Sequence, residues 1–242
     1  MAGPSPATGV DLSAAAIATL VAGRRDQREP FVHAISLGTS CYPAWTLKTL
    51  GLRRVATPFD WLFSSPDMVC AALADRFAGL LDPAEFEPIP GAGLGGEGGG
   101  HHRAYRERFG VERVFNHHDL GRPEVRAYFE RGAARFLDAV GGPAKTLLLM
   151  VHAGLPVDAA GFARLCEAVD AIGPRNTLLC INVGRTGDTL DTGMRDPHQI
   201  GRHRMRTYRS TSHIDGVRFT DPLDELVMRS VVMQFRFDPD PA

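Results

Sequence analysis

Two runs without a polar interruption, Leu147 to Val151 and Leu178 to Ile181, constrain the fold of this chain more than any other feature. A strand with one wet face alternates apolar and polar residues, whereas a strand buried on both faces does not. Lys145–Val151 and Asn176–Val183 therefore read as central strands of a sheet covered on two sides. Helical patterns surround them, Pro123–Val140 ahead of the first and Asp158–Ile172 between the two. Strands that alternate with helices predict an α/β fold, a single domain with a mostly parallel, doubly wound sheet flanked by helices.

Phe31–Leu37 is a further β-rich run, ended by Gly38, and Cys41–Leu50 reads as a helix with Pro43 in its first turn and Gly51 just past its end. Ser65-Pro66-Asp67 caps another helix running to about Leu80. Val111–Phe115, Gly216–Thr220 and Ser230–Phe237 are expected strands, and Pro222–Arg229 a helix. Residues 1–30 form an N-terminal arm with a short helix, Asp11–Ala22, capped by Asp11 or Ser13, and residues 31–242 form the domain. Within it, 91–100 is almost all glycine and reads as a flexible loop; its G-x-G spacing follows prolines rather than a strand, so it is no dinucleotide fingerprint.

Charge narrows the partners. Lys and Arg total 27 against 28 Asp and Glu, a net charge of −1, which argues against a nucleic-acid binder. No run reaches the ~18 apolar residues of a membrane span, and the small apolar stretch Ala14–Ala22 has Asp11 before it and Arg24-Arg25 after it, the reverse of a secretory signal. Cys41, Cys70, Cys166 and Cys180 form no C-x-x-C pair and no disulfide framework, so a reducing, cytoplasmic setting is expected. Neither a cofactor nor a bound metal is expected; His117, His118, Asp119 and His152 match no zinc spacing.

In open α/β sheets, ligands bind beyond the carboxyl ends of the strands. The first strand runs into Gly38-Thr39-Ser40-Cys41, and Cys41 opens a helix. A thiol at that position meets the positive end of the helix dipole, so its thiolate is expected to form below the free value of about 8.5. Unpaired N–H groups there suit an oxyanion. Asn116-His117-His118-Asp119 ends the expected strand from Val111; adjacent residues of a strand face opposite ways, so only one of the two imidazoles reaches the thiol. Asp60, between Phe59 and Trp61, either orients that base or closes a turn on its own backbone. Ser40, Asn116, His117, Trp61, Arg204 and Arg206 complete the candidate substrate contacts, and Arg202, Arg204, Arg206 and Arg209 lie in a long polar stretch, 185–215, that is an anion-binding lip or a solvated face.

Ser36-Leu37-Gly38, Cys41, Leu47, Gly51-Leu52, Pro58-Phe59-Asp60-Trp61 and His118-Asp119 resemble a bacterial papain-like cysteine peptidase family, domain of unknown function 1796, over about residues 31–152. The resemblance implies Cys41 as nucleophile and His118 as base, with Asp60 or Asp119 as orienter, and a papain-like α+β fold as the alternative architecture. The strand–Ser-Leu-Gly–helix start also looks distantly like SGNH hydrolases, without their GDS triplet or late Asp-x-x-His. Two functions follow. One is a cysteine-dependent hydrolase, peptidase or acyltransferase working through Cys41 and His118. The other is a non-catalytic α/β domain that binds a sugar-like or phosphate-bearing ligand.

Overall fold

The computed structural model describes residues 29–89, 98–186 and 193–239; the N-terminal arm with its expected helix and positions 91–97 of the glycine loop lie outside them. The chain begins with β1 (His33–Ser36) and α1 (Tyr42–Thr49), followed by a 3-10 turn at Pro58–Trp61 and α2 (Pro66–Ala74). Next come β2 (Phe86–Pro88), β3 (Gly100–His102), α3 (Arg103–Phe109), α4 (Pro123–Gly141), β4 (Thr146–His152), α5 (Ala159–Ile172) and β5 (Asn176–Arg185). β6 (Gly193–Ile200), β7 (His203–Ser210), β8 (Ile214–Asp215), β9 (Arg218–Phe219) and α6 (Pro222–Val232) close it.

Five strands form the central sheet in the order β1-β4-β5-β7-β6. β1, β4, β5 and β7 run parallel, and only β6 is antiparallel, paired to β7. Side chains alternate between two cores. Ile35, Leu148, Met150, Leu178 and Cys180 face α2, α4 and α5, while Leu147, Leu149, Val151, Leu179 and Ile181 face α1 and α6. The winding explains the second layer. The chain steps from β1 through β4 and β5 to β7, and α6 then carries it back to the first edge, where Phe237 bridges Phe31 in parallel. Right-handed crossovers that step in opposite directions put their helices on opposite faces. This is the doubly wound arrangement, not the papain-like alternative.

Several expected elements differ. Val111–Phe115 is no strand: Phe115 alone makes bridges, to Leu62 and to Gly100 at the start of β3, and the pairing does not extend along the segment. Ser230–Phe237 splits, since α6 continues to Val232 before a turn and the single Phe237 bridge. Gly216–Thr220 contributes only β9, paired with β8 across a two-residue turn. The polar stretch 185–215 holds β6 and β7, whose His203, Met205, Tyr208 and Ser210 are buried while the arginines between them are not. No helix among the described residues is long and apolar enough to cross a membrane.

Candidate active site

The site grows from the loop that follows β1. Gly38 and Thr39 both have left-handed backbone, with φ +76° and +72°. A Cβ on Gly38 would meet Ser64 Oγ at 2.8 Å and the Phe59 carbonyl at 3.3 Å, so glycine is required there by conformation and by space. Thr39 is a β-branched residue in a region that such residues avoid, and neighbours hold it. Its amide donates to Ser64 Oγ at 2.9 Å, and its hydroxyl donates to the Val151 carbonyl at the end of β4. These contacts deliver Cys41 to the N-cap of α1. Ser40 Oγ accepts from the Tyr42 amide at 3.3 Å, and Tyr42 donates its hydroxyl to Glu225, which itself pairs with Arg229 on α6.

His117 comes from a loop anchored by its neighbour. Phe115 is fully buried, exchanges backbone hydrogen bonds with Gly100, and bridges Leu62, while the Phe63 amide donates to the Val114 carbonyl at 3.0 Å. Segment 58–64 therefore straps the cysteine loop, through Ser64, to the histidine loop, through Leu62 and Phe63. Three motifs far apart in sequence meet in one place.

There His117 Nε2 lies 3.8 Å from Cys41 Sγ. It is His117, not His118, that the structure brings to the thiol; the His118 ring packs against Phe129 and Tyr128 at 5.2 and 5.8 Å between centroids. Without a sheet strand ahead of the pair, strand alternation does not set their directions, and the aromatic face of α4 claims His118. Asn116 Nδ2 sits 3.0 Å from the same His117 Nε2, and Arg113 donates to Asn116 Oδ1 at 3.3 Å, which turns the amide nitrogen toward the ring. Cys41 is 5 % exposed, and burial pushes its thiol up to about 11, opposite to the direction expected from the helix terminus. The desolvation of a charged sulfur outweighs a dipole effect of at most ~2 kcal/mol.

The carboxylates lie elsewhere. Asp60 is buried in its own turn: it accepts from the Thr57 amide at 2.9 Å and the Thr57 hydroxyl at 3.0 Å, and pairs with Arg53 at 2.7 Å. Burial lifts its carboxyl above the usual carboxylate range, and Arg53 and Thr57 pull it back in part. Asp119 closes a turn by accepting from the Gly121 amide at 3.0 Å. Trp61 carries the Arg53 guanidinium 5.7 Å from its ring centroid. Arg204 lines a different cavity, with Phe31 and Lys145, which precede β1 and β4, and Arg206 on β7 pairs in register with Ile181 of β5. Among the described residues no three His, Cys, Asp or Glu side chains converge as metal ligands.

A cleft of about 450 Å3 opens beside the cysteine loop, lined by Ser65, Asp67, His152, Leu155, Asp158 and Arg164 among others. It adjoins that loop because Thr39 touches Ser64 and Val151, the residues just before Ser65 and His152. The cleft lies beyond the carboxyl end of β4, on the side where doubly wound sheets take ligands. Burial lowers the His152 pKa, partly offset by a hydrogen bond at Leu155, so a neutral imidazole faces the cleft. An Asp67–Arg164 ion pair of 3.1 Å spans it between α2 and α5. Neither His152 nor the Ser64 brace was assigned to this site from sequence; the position of His152 at the end of an apolar strand was the available signal.

Residues 32–95 match the family model described as putative papain-like cysteine peptidase (domain of unknown function 1796). The matched span contains Cys41 and Asp60 and ends before the loop that carries His117. No curated protein and no solved structure matches the chain.

Proposed function

We propose that this protein performs cysteine-dependent acyl transfer, as a hydrolase, peptidase or acyltransferase, with Cys41 as nucleophile and His117 as base. The observation that carries the reading is the 3.8 Å approach of His117 Nε2 to Cys41 Sγ. The family match over residues 32–95, which spans the cysteine loop, supports it.

Burial disfavours a preformed thiolate, so Cys41 rests as a thiol, and His117 acts by taking its proton as the bond forms. Sγ attacks the substrate carbonyl carbon while Nε2 receives the thiol proton, and the carbonyl π electrons move to oxygen. The Cys41 amide, which has no intrachain acceptor among the described residues, is the proposed oxyanion donor at the start of α1. Collapse of the intermediate breaks the carbon–leaving-group bond, with His117 returning the proton to the departing atom. Water or another acceptor then attacks the thioester, His117 again serving as base, and the thiol is restored. Because Asn116 Nδ2 occupies the same ring nitrogen, an Nε2–H would face it donor to donor. Rotation of the amide presents Oδ1 instead and makes Asn116 a positioning residue for the protonated base.

Iodoacetamide labelling of the native protein, read residue by residue by mass spectrometry, tests the pair. Cys41 should label faster than Cys166 and Cys180, His117→Ala should slow it, and His118→Ala should leave it unchanged. Equal rates at Cys41 in wild type and His117→Ala would overturn the reading.

A further inference from the structure

A second cavity, of about 160 Å3, opens at the opposite end of the sheet. Lys145, Thr177, Gln199, Arg202 and Arg204 form its polar wall, with Phe31 and Phe235 as its apolar side. Lys145 precedes β4 and Val151 nearly ends it, so this cavity and the Thr39 anchor are about 20 Å apart along one strand.

Its chemistry is that of an anion receptor. Lys145 Nζ lies 4.5 Å from the Phe31 ring centroid and donates to the Glu29 carbonyl at 3.2 Å, which leaves its other donors available. Arg202 is held by Asp170 and by the Asn176 carbonyl. Arg204 is different: its guanidinium rests 5.3 Å from the Phe235 centroid and meets no carboxylate among the described residues. Thr177 is only 4 % exposed, yet its hydroxyl has no hydrogen-bond partner among the described residues and borders the cavity. Lys145, Arg202 with its Asp170 partner, the forked Arg204 guanidinium, the Thr177 hydroxyl and the Gln199 amide offer donors from several directions around a space with room for a small tetrahedral ion.

We propose that this cavity binds a phosphate-class oxyanion, either the free ion or the phosphoryl end of a small molecule, with Arg204 and Thr177 as its specific donors. The site is separate from the Cys41–His117 pair and stands whether or not that pair is catalytic.

Calorimetric titration at constant ionic strength tests it, with inorganic phosphate, ethyl phosphate and acetate as probes. Saturable phosphate or ethyl phosphate binding is expected, with acetate at least tenfold weaker. Arg204→Met and Thr177→Val should each lower the affinity at least tenfold while the melting temperature without ligand stays near that of the wild type. If Arg204→Met does not fold, Arg204→Lys keeps the charge, loses the fork, and should still weaken binding. Tighter binding of ethyl phosphate than of the free ion assigns the site to a phosphoryl end, and the reverse to the ion itself. The inference falls if none of the probes binds saturably, if acetate matches phosphate, or if the variants bind like the wild type.

Discussion

Ser64 Oγ accepts the Thr39 amide at 2.9 Å, and through that bond the aromatic turn holds the left-handed step that sets Cys41 at the start of its helix. Ser64→Ala leaves the part-buried Thr39 N–H without its acceptor, at a cost of about 1 kcal/mol. The expected result is a lower melting temperature together with slower Cys41 labelling. Loss of stability with labelling unchanged would show that the loop holds its shape without the brace.

Asn116 and the Cys41 thiol compete for one lone pair on His117 Nε2. Asn116→Ala removes the competing donor in the resting state. Cys41 alkylation at pH 8 should then accelerate about fivefold, the equivalent of one hydrogen bond of ~1 kcal/mol. Turnover on a substrate should fall instead, because the rotated amide no longer supports the protonated ring. Slower alkylation would mean that Asn116 positions the ring already in the resting state.

Asp60 is 1 % exposed and serves as acceptor for Thr57 and Arg53 at once. Asp60→Asn keeps the shape but sets an amide N–H2 against donors. Stability should drop by about 2–3 kcal/mol. Circular-dichroism melts should register this as roughly 5–10 °C. The pH profile of Cys41 labelling should not move, and a shift in it would place Asp60 in the chemistry after all.

Alkaline pH should unfold this protein early. The Cys41 and Cys70 thiols are pushed up to about 11 and the Cys166 and Cys180 thiols to about 12, chiefly by burial, well above the free value. A group whose folded pKa is raised contributes stability that is complete below the unfolded value and is lost as pH climbs toward the folded one. Urea midpoints should therefore fall between pH 9 and 11, and Cys41→Ala should flatten that decline relative to its own pH 7 value. An identical slope in wild type and variant would show that the Cys41 thiol takes no part.

Much of the scaffold was legible because burial on two faces leaves a plain trace. The unbroken apolar stretches of β4 and β5 gave away a covered parallel sheet, and Pro43 and Gly51 marked the ends of α1. β7 was missed because its arginines dominate the eye, although His203 and Met205 alternate with Arg204 and Arg206 as a half-buried strand should. The 111–115 segment misled in the opposite sense: its residues suit a strand, but a strand needs a partner, and pairing is a long-range fact that local pattern does not contain. The same gap explains the histidines. Sequence narrowed the base to His117 or His118, yet the choice was made by Tyr128 and Phe129, which lie on a helix that follows the pair and occupy one of the two directions. The sign of the Cys41 shift was out of reach for a related reason, since helix-end electrostatics can be read from the local sequence and desolvation cannot.

The short strand that precedes Cys41 has a bearing on kinetics. β1 pairs with Thr146–Leu149, and Phe31 just ahead of it bridges Phe237, both reached only after long stretches of intervening chain. Contacts of such separation close slowly and late in folding. In a refolding experiment, far-ultraviolet ellipticity from the helices should recover first, and the His117-dependent reactivity of Cys41 should return only with the slowest phase. The chain would thus acquire its secondary structure before its thiol is coupled to a base.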